Sequence, residues 1–307
     1  MRILSWNCQG LGNLWTVQSL HKLVREQAPD VCFLMETRLN RSGFEQHCGD
    51  VPFKNKLIVK KPNSGGGLAL MWKEEVNLDV VNFTDNHILA KVVESDGFMW
   101  HLTGFYGWPE ANEKRKSWAL LSHLKTFVEG PWCCIGDFNA IHHASEKQSV
   151  NAPYFNQMED FRVALDNCEL KDLGFTGHKF TWTNKRPGSA HTKQRLDRAT
   201  ANESWSEKFP TSLVSHLFSH SSDHIPILLT TMNDRRVRGK GASGFKFEEC
   251  WLMWDDCEEV VLEAWTKGGH GSLGLSGLRD QIQSCGAELH AWGSSKTKPE
   301  TEEIKRL

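Results

Sequence analysis

The 307-residue sequence lacks several features that would place it in a specialised class. Its apolar runs fall well short of the roughly 18 consecutive residues that a transmembrane helix needs, so we expect no membrane association. Residues 1–7 carry a charge but no extended apolar segment, and they therefore do not form a secretory signal. These absences favour a soluble, intracellular protein.

An excess of positive charge is also lacking, since 36 Lys and Arg stand against 38 Asp and Glu and give a net charge of -2. This balance argues against a broadly basic nucleic-acid coat. A phosphate-bearing substrate would therefore have to be bound by local basic patches or a bound cation.

The nine cysteines are an odd number without metal-type pairing, which favours a reducing compartment over a disulfide framework.

The most informative stretch is residues 135–139, which follow the apolar run 132–134. A short apolar run that ends in glycine is typical of a buried strand that breaks at its C-terminal edge. Because side chains alternate along a strand, Asp137 and Asn139 are predicted on one face, with Phe138 turned inward. The carboxylate can take a proton from water while the amide holds that water in line. A turn is the alternative interpretation, since the same residue types are common in turns.

The order of predicted elements indicates an α/β fold. A strand over residues 2–6, a helix capped by Thr16 and a strand over residues 30–35 predict a parallel unit. Strands without intervening helices then predict an antiparallel meander over residues 57–59, 68–72, 76–83, 88–93 and 99–105. Amphipathic helices follow at 112–128 and 155–168, and further strands at 180–183, 195–198 and 225–229.

The composition changes at residues 235–244, where arginine, lysine and glycine predominate and predict a linker. We therefore predict a principal domain over residues 1–232, a linker over 233–244 and a partial helical segment over 245–307. The last segment is too small to make a robust core alone.

Polar side chains suited to phosphate chemistry stand at or just beyond the predicted strand ends. They are Asn7, Glu36, Tyr106, Asp137, Asn139, Asp197, Asp223 and His224. Acids gathered at strand ends can hold Mg²⁺, which prefers one or two carboxylates together with water and substrate phosphate. A histidine that a carboxylate orients can steady a phosphate or a leaving oxygen. The alternative is a structural role in turns or caps, above all for Tyr106 and Asp197.

Two other motifs are interpreted as loops. The triple glycine at residues 65–67 lacks the Lys-Ser/Thr pair of a phosphate-binding loop. The adjacent His142 and His143 lack a third metal ligand in view.

Six motifs resemble, in order and spacing, the endonuclease/exonuclease/phosphatase superfamily over roughly residues 1–230. They are Trp6-Asn7-Cys8-Gln9-Gly10, Met35-Glu36-Thr37-Arg38, Gly104-Phe105-Tyr106, Gly136-Asp137-Phe138-Asn139, Arg195-Leu196-Asp197-Arg198 and Ser222-Asp223-His224. The segments 65–70, 172–177, 180–184 and 195–198 are most similar to the apurinic-type endonuclease of plant LINE-type (non-LTR) retrotransposons. The resemblance implies a four-layered, two-sheet α/β sandwich, DNase I-like or exonuclease III-like, with a short helical C-terminal tail.

The resemblance also assigns the metal and the attacking water. Glu36 and Asp223 would bind Mg²⁺, for which Mn²⁺ is a possible substitute. Asp137 would orient or deprotonate the water, while Asn7 and Asn139 would fix the water and the phosphate.

The remaining roles concern the phosphate. Tyr106 would hydrogen-bond a phosphate oxygen, and His224 would stabilise charge on the pentacoordinate phosphorus while Asp197 holds its tautomer. Gln9 departs from many family members, because repair enzymes often carry aspartate there. The departure weakens an abasic-site repair interpretation.

A basic hairpin loop between Trp182 and Asp197 is the predicted DNA contact. Its candidate DNA-binding residues are Trp182, Lys185, Arg186, Lys193 and Arg195. In LINE-type endonucleases the matching hairpin lies against DNA beside the cleaved bond. A solvated surface loop is the alternative, because runs of charge usually are that.

We therefore predict a Mg²⁺-dependent DNA endonuclease, nuclear and monomeric, that nicks target DNA for LINE-type retrotransposition and leaves a 3′-hydroxyl. Residues from 245 resemble the connector that precedes a reverse transcriptase, and we expect that enzyme in a full-length element. The alternatives are a small-molecule phosphatase of the same superfamily and a non-catalytic retrotransposon relic.

Overall fold

The computed structural model describes residues 1–60, 66–219, 221–231, 256–267 and 275–295. The chain divides into two compact units, Met1–Asn233 and Asp234–Leu307. The predicted linker lies outside the described residues, and the roles assigned to the three segments stay predictions. None of the described helices is long and apolar enough to cross a membrane.

Two six-stranded mixed sheets form the frame of the larger unit. The strands of the first sheet are β1 (Arg2–Asn7), β2 (Val31–Met35), β3 (Asn55–Val59), β4 (Leu68–Trp72), β14 (Leu213–His216) and β15 (Ile227–Thr230). They lie in the order β14-β15-β1-β2-β4-β3, and β1 runs parallel to β2.

The strands of the second sheet are β5 (Asn77–Thr84), β6 (His87–Val93), β7 (Met99–Tyr106), β8 (Trp132–Asp137), β10 (Lys171–Asp172) and β13 (Asp197–Ala201). They lie in the order β10-β13-β8-β7-β6-β5, with β7 parallel to β8. A small third sheet joins β9 (Lys147–Gln148), β11 (Trp182–Thr183) and β12 (Lys193–Gln194) in the order β11-β12-β9.

Alternating side chains along each central strand create three apolar layers. In β1, Ile3 packs in the core between the sheets, while Leu4 packs on the opposite side, with the helix of residues 14–27. In β8, Cys133 faces the core between the sheets and Cys134 faces the outer helices. This period of two produces the predicted four-layered sandwich, with helices outside two facing sheets.

The helices of the larger unit are α1 (Leu14–Gln27), α2 (Arg41–Cys48), α3 (Lys114–Lys125), α4 (Phe155–Asn167) and α5 (Glu203–Lys208). On the second sheet, the rings of Trp118 from α3 and Phe161 from α4 stack at 4.7 Å between centroids. Fully burying side chains of this size stabilises the fold by about 1.5–3 kcal/mol each.

Two glycines allow close approaches that any side chain would block. A Cβ on Gly104 of β7 would come within 2.5 Å of the Phe33 ring from the other sheet. Gly136, with φ +152°, lies where a Cβ would come within 1.9 Å of the Phe105 carbonyl oxygen. Gly136 thus keeps β7 and β8 paired directly beside Asp137.

The fold class is confirmed, and several local predictions were wrong. Helix α1 begins three residues earlier than predicted. Asn13, rather than Thr16, caps it by accepting from the Trp15 N–H at 2.9 Å. Thr16 is instead buried within the helix. Helix α2 was missed, since its eight residues carry only two buried side chains, Phe44 and Cys48.

The predicted meander is divided between the two sheets, with β3 and β4 in the first and β5, β6 and β7 in the second. The two strands predicted on either side of the basic loop, at residues 180–183 and 195–198, do not form its hairpin. Strand β11 pairs with β12, which lies just before residues 195–198, and Asp197 begins a strand of the second sheet. The basic hairpin therefore belongs to the small third sheet.

The described residues of the second unit form two helices, α6 (Cys257–Lys267) and α7 (Leu275–Ser295). They share a small apolar cluster that includes Cys257, Ala264, Cys285 and Leu289. The helical character predicted for this segment is thus confirmed for the described residues.

Candidate active site

Strand ends from both sheets bring the predicted polar side chains together. Asn7 ends β1, Tyr106 ends β7, and Asp137 ends β8. In the second sheet, Asp137 lies opposite Tyr106 on one side and opposite Asp197 on the other. Parallel neighbours end at the same edge of a sheet, and this places the polar residues at one mouth of the sandwich.

Asp137 is fully buried, and amide groups hold both of its carboxylate oxygens. Oδ1 accepts from the Asn139 main-chain N–H at 2.8 Å, while Oδ2 accepts from Asn139 Nδ2 at 3.1 Å. Asn7 Nδ2 also donates to Oδ2 at 3.1 Å. Asn139 therefore lies beside Asp137 as predicted, Asn7 is a second amide on the same carboxylate, and the carboxylate is fixed in one orientation.

His224 lies between two carboxylates. Its Nδ1 is 2.8 Å from Asp197 Oδ2, and its Nε2 is 3.7 Å from Asp137 Oδ2. The main chain of His224 is held by Ser222 Oγ, which accepts from its N–H at 3.1 Å, and by the Trp6 indole, which donates to its carbonyl at 3.1 Å. We call Asp137, Asp197 and His224 the catalytic cluster.

Burial and neighbouring charge set the protonation of this cluster. Burial raises the pKa of Asp137 above the ordinary carboxyl value, and the nearby Asp197 adds to that shift while His224 opposes it. Burial alone would lower the pKa of His224, but Asp197 and Asp137 outweigh burial and raise it. At neutral pH the cluster therefore holds a carboxylate with enhanced affinity for a proton beside a charged imidazolium.

Glu36 lies just beyond β2 and accepts three hydrogen bonds. Its Oε1 accepts from Asn7 Nδ2 and from the Tyr106 hydroxyl, each at 2.9 Å, and its Oε2 accepts from Arg38 at 3.2 Å. Burial and the Glu36 charge raise the pKa of Tyr106, so its hydroxyl stays a neutral donor. Tyr106 thus positions Glu36, whereas its predicted contact with a phosphate stays a prediction.

Backbone strain is concentrated around these side chains. Five of the seven described non-glycine residues with positive φ lie at or beside the site. They are Gln9, Glu36, Arg38, Asn139 and Lys185. Left-handed conformations of this kind cost stability and persist at functional sites where the surroundings enforce them.

Glu36 and Asp223 open onto a cleft of about 450 Å³, whose lining also includes Gln9, Asn139 and His224, whereas Asp137 and Asp197 are buried. The Asp223 carboxylate accepts from the Trp182 indole through Oδ2 at 2.9 Å, whereas its Oδ1 is buried and has no hydrogen-bond partner among the described residues. Asn7 Oδ1 is likewise buried without a partner there. Unpaired acceptor oxygens beside a carboxylate are the donor set that a hard cation such as Mg²⁺ prefers, so these residues fit a metal.

The catalytic cluster has a spacing that could hold a metal ion. One ligand atom from each residue of the catalytic cluster lies within 4.8 Å of the others. The short contact between His224 Nδ1 and Asp197 Oδ2, however, is that of a hydrogen bond, and a raised histidine pKa opposes metal binding because a ligand nitrogen must be deprotonated. The catalytic cluster therefore suits proton handling, and the Glu36 side of the cleft suits a metal.

The predicted DNA contacts divide into two groups. Arg186 is exposed, Lys193 and Trp182 are half-buried, and Lys185 donates from Nζ to the Ser222 carbonyl at 3.0 Å. The prediction that Arg195 contacts DNA is corrected, because its side chain is only 5% exposed. Its guanidinium group is therefore not available to a DNA phosphate.

Arg195 instead belongs to a buried network of opposite charges. It contacts Glu146 and Asp172, each at 2.8 Å, and Arg198 contacts the same two carboxylates at 2.9 and 2.7 Å. We call these four residues the ion-pair network. Arg198 also donates to the Ala140 carbonyl at 3.0 Å, so the network links strand β13 to the turn that follows Asp137.

Sequence reasoning did not single out Lys114, at the start of α3. Its Nζ donates to the main-chain carbonyl of Asn139, and the residue lines the cleft. No motif marked it, since lysine in the first turn of a helix is usually a solvated residue. His142 and His143, interpreted as loop residues, contact each other through their rings at 2.8 Å.

Comparison with known proteins identifies the class to which this fold and cleft belong. Residues 4–224 match the Endonuclease/Exonuclease/phosphatase family, and the chain belongs to that family. No curated protein matches the sequence.

Solved structures share the fold at low sequence identity. The 3′ phosphatase NExo from Neisseria, bound to a product DNA hairpin, has a TM-score of 0.58 at 16% identity over 75% of this chain and 98% of that one. An AP endonuclease from Leishmania major has a TM-score of 0.58 at 15% identity, over 74% and 86% of the two chains. The endonuclease domain of TRAS1, a telomere-specific non-LTR retrotransposon, has a TM-score of 0.54 at 14% identity over 75% and 97%.

Proposed function

We propose that the protein is a metal-dependent DNA endonuclease that nicks one strand in the nucleus during LINE-type retrotransposition. The observation that carries the proposal is the catalytic cluster at the cleft, with Asp137 held by two amides beside a protonated His224. DNA as the substrate is supported by similarity to an AP endonuclease and to a retrotransposon endonuclease domain.

The side chains suit hydrolysis of a phosphodiester. Asp137 accepts a proton from water as the water oxygen bonds to phosphorus, and Asn7 and Asn139 hold the carboxylate that receives it. The bond from phosphorus to the 3′ oxygen breaks, and the leaving oxygen takes a proton from solvent, which gives a 3′-hydroxyl and a 5′-phosphate. His224, charged and fixed by Asp197, stabilises the negative charge that develops on the phosphoryl oxygens.

Glu36 and Asp223 would hold Mg²⁺, or Mn²⁺ in its place. A divalent cation bound there supplies a positive charge that stabilises the leaving oxyanion and offsets repulsion between the acids and the phosphate. Tyr106 keeps the Glu36 carboxylate aimed at the cleft through its 2.9 Å hydrogen bond.

A small-molecule phosphatase of the same family is the second candidate. It is favoured by the burial of Arg195 and by the hydrogen bond of Lys185 to Ser222, which together reduce the positive charge available to a DNA backbone. Release of inorganic phosphate from a soluble phosphoester, without nicking of DNA, would support it.

Incubation with supercoiled plasmid tests the proposal most directly. We expect open-circular DNA to accumulate with Mg²⁺ or Mn²⁺ and EDTA to abolish it, with Asp137→Asn as the inactive control. Supercoiled DNA that stays intact with both ions would contradict the proposal. A folded protein inactive on both DNA and soluble phosphoesters would favour the non-catalytic relic.

A further inference from the structure

Lys114 is a cation in the wall of the cleft. It lies close to Asn139, which forms the proposed water-activating pair with Asp137. It begins α3 and lines the same cleft as Glu36, Asn139 and His224. Burial lowers the pKa of its ammonium to about 8, while Asp137 and Glu110 oppose that shift. The group therefore stays mainly charged at neutral pH.

Lys114 contacts the turn at Asn139, which several hydrogen bonds hold in place. Asn139 has φ +53°, and its Nδ2 donates both to the Gly107 carbonyl at 3.0 Å and to Asp137 Oδ2 at 3.1 Å. Its main-chain carbonyl accepts from Lys114 Nζ. Asparagine adopts the left-handed region more readily than most residues, and here surrounding contacts fix it there, of which Lys114 supplies one.

Asn139 is the residue through which such a contact reaches the chemistry. Its main-chain N–H and its side-chain amide each hold one oxygen of Asp137. A shift of the Asn139 backbone, once its carbonyl is released, would therefore displace these donors and loosen the carboxylate that takes the proton.

We propose that Lys114 is a positioning residue, which fixes the Asn139 turn and thereby the orientation of Asp137 toward the attacking water. This inference rests on the proposed nuclease function. It predicts an effect on the chemical step rather than on DNA affinity, because the contact of Lys114 is with the protein main chain. A displacement of about 1 Å in a reacting group can cost about a hundredfold in rate.

The test compares Lys114→Met with Lys116→Met, two changes of the same kind on one helix. Lys116 is exposed and contacts Glu113 at 2.6 Å, and it lies outside the site. We expect Lys114→Met to lower kcat for plasmid nicking by about tenfold to a hundredfold with KM changed less than about twofold. Lys114→Arg, which keeps a charged donor, should recover part of the loss, and Lys116→Met should leave both constants unchanged.

Two outcomes would overturn the inference while leaving the proposed function intact. One is a kcat for Lys114→Met equal to that of Lys116→Met, and the other is a raised KM with unchanged kcat, which would mark a DNA contact only. Should Lys114→Met melt far below the wild type, Lys114→Gln repeats the test with a neutral polar side chain, and an unchanged kcat there overturns the inference. Failure of the wild type to nick DNA refutes the proposed function itself.

Discussion

Two clusters of buried charge meet on strand β13, and they differ in how fully each charge is compensated. In the ion-pair network, two guanidinium groups face two carboxylates at 2.7–2.9 Å. Burial would raise the pKa of Glu146, but Arg198 and Arg195 outweigh it and lower the pKa to about 2. The pKa of Asp172 is lowered to about 2 for the same reason.

In the catalytic cluster, by contrast, a single imidazole faces two carboxylates. Burial and Asp197 raise the pKa of Asp137, which is the opposite of what happens to Glu146. Through His224 the cluster also borders a cleft, and two acceptor oxygens without partners among the described residues, on Asn7 and Asp223, lie beside it. The ion-pair network lines a cleft of its own, so access to solvent does not distinguish the two clusters. A perturbed pKa therefore indicates chemistry here only where compensation is incomplete.

The largest expected effect is on the catalytic cluster. Asp137→Asn or His224→Ala should lower the nicking rate at least about a hundredfold, because each removes a proton acceptor or a stabilising charge. Asp137→Asn should lower the free energy of unfolding by less than Glu146→Gln does, because burial already disfavours the Asp137 charge that the change removes. Plasmid nicking and urea unfolding measure the two quantities, and a rate within tenfold of the wild type would contradict the assigned role of Asp137.

The ion-pair network should show the reverse pattern. Glu146→Gln leaves Arg198 and Arg195 with one carboxylate between them, and breaking a buried pair typically costs about 3–5 kcal/mol. We expect the loss in urea unfolding, together with a smaller change in nicking rate than Asp137→Asn causes. Equal stability of Glu146→Gln and wild type would show that the network does not stabilise the fold.

The two clusters should also affect stability differently at low pH. The folded-state pKa values of Glu146 and Asp172 lie below the ordinary value, so their stabilisation is complete above about pH 5 and is lost as the pH falls toward 2. The pKa of Asp137 is raised, so protonation of that group favours the folded state as the pH falls. Unfolding between pH 7 and 3 should therefore depend less steeply on pH in Glu146→Gln than in the wild type.

Asp137→Asn is the matched control for this pH dependence. Removing an acid whose pKa is raised should not flatten the loss of stability at low pH. Parallel curves for Glu146→Gln and wild type would contradict the contrast between the clusters.

The sequence predicted the parts of the site that local pattern controls. The apolar run before Asp137 and the alternation along β1 and β2 identified the central strands, and hydrogen bonds join the polar residues at their ends. Side-chain alternation and strand ends are local properties, so a single sequence contains them.

Arg195 shows why other parts could not be predicted. A basic stretch has the same pattern whether its arginine faces solvent or a buried acid. The carboxylates that bind Arg195 lie 49 and 23 residues earlier in the chain, at Glu146 and Asp172. Lys114 was missed for a related reason, because its partner Asn139 is 25 residues away and is contacted through the main chain.

The smallest expected effect concerns the basic hairpin, where the burial of Arg195 leaves three cations. Lys185, Arg186 and Lys193 flank the turn at residues 188–190, and strands β11 and β12 carry it. Each phosphate that a cation neutralises contributes a slope of about -0.9 to the log–log dependence of affinity on salt. Because Lys185 is bonded to Ser222, we expect replacement of all three by alanine to flatten the slope by less than the full contribution of three phosphates.

The triple variant should weaken DNA binding and change the positions of nicks, while hydrolysis of a small model phosphodiester continues because the catalytic cluster and the metal ligands remain. A control variant with alanine at Lys22, Lys54 and Lys116 removes the same number of charges from exposed ion pairs elsewhere. Affinity measured across a salt series, together with nick mapping, distinguishes the two. An identical slope and nick pattern in both variants would mean that the hairpin is a solvated loop.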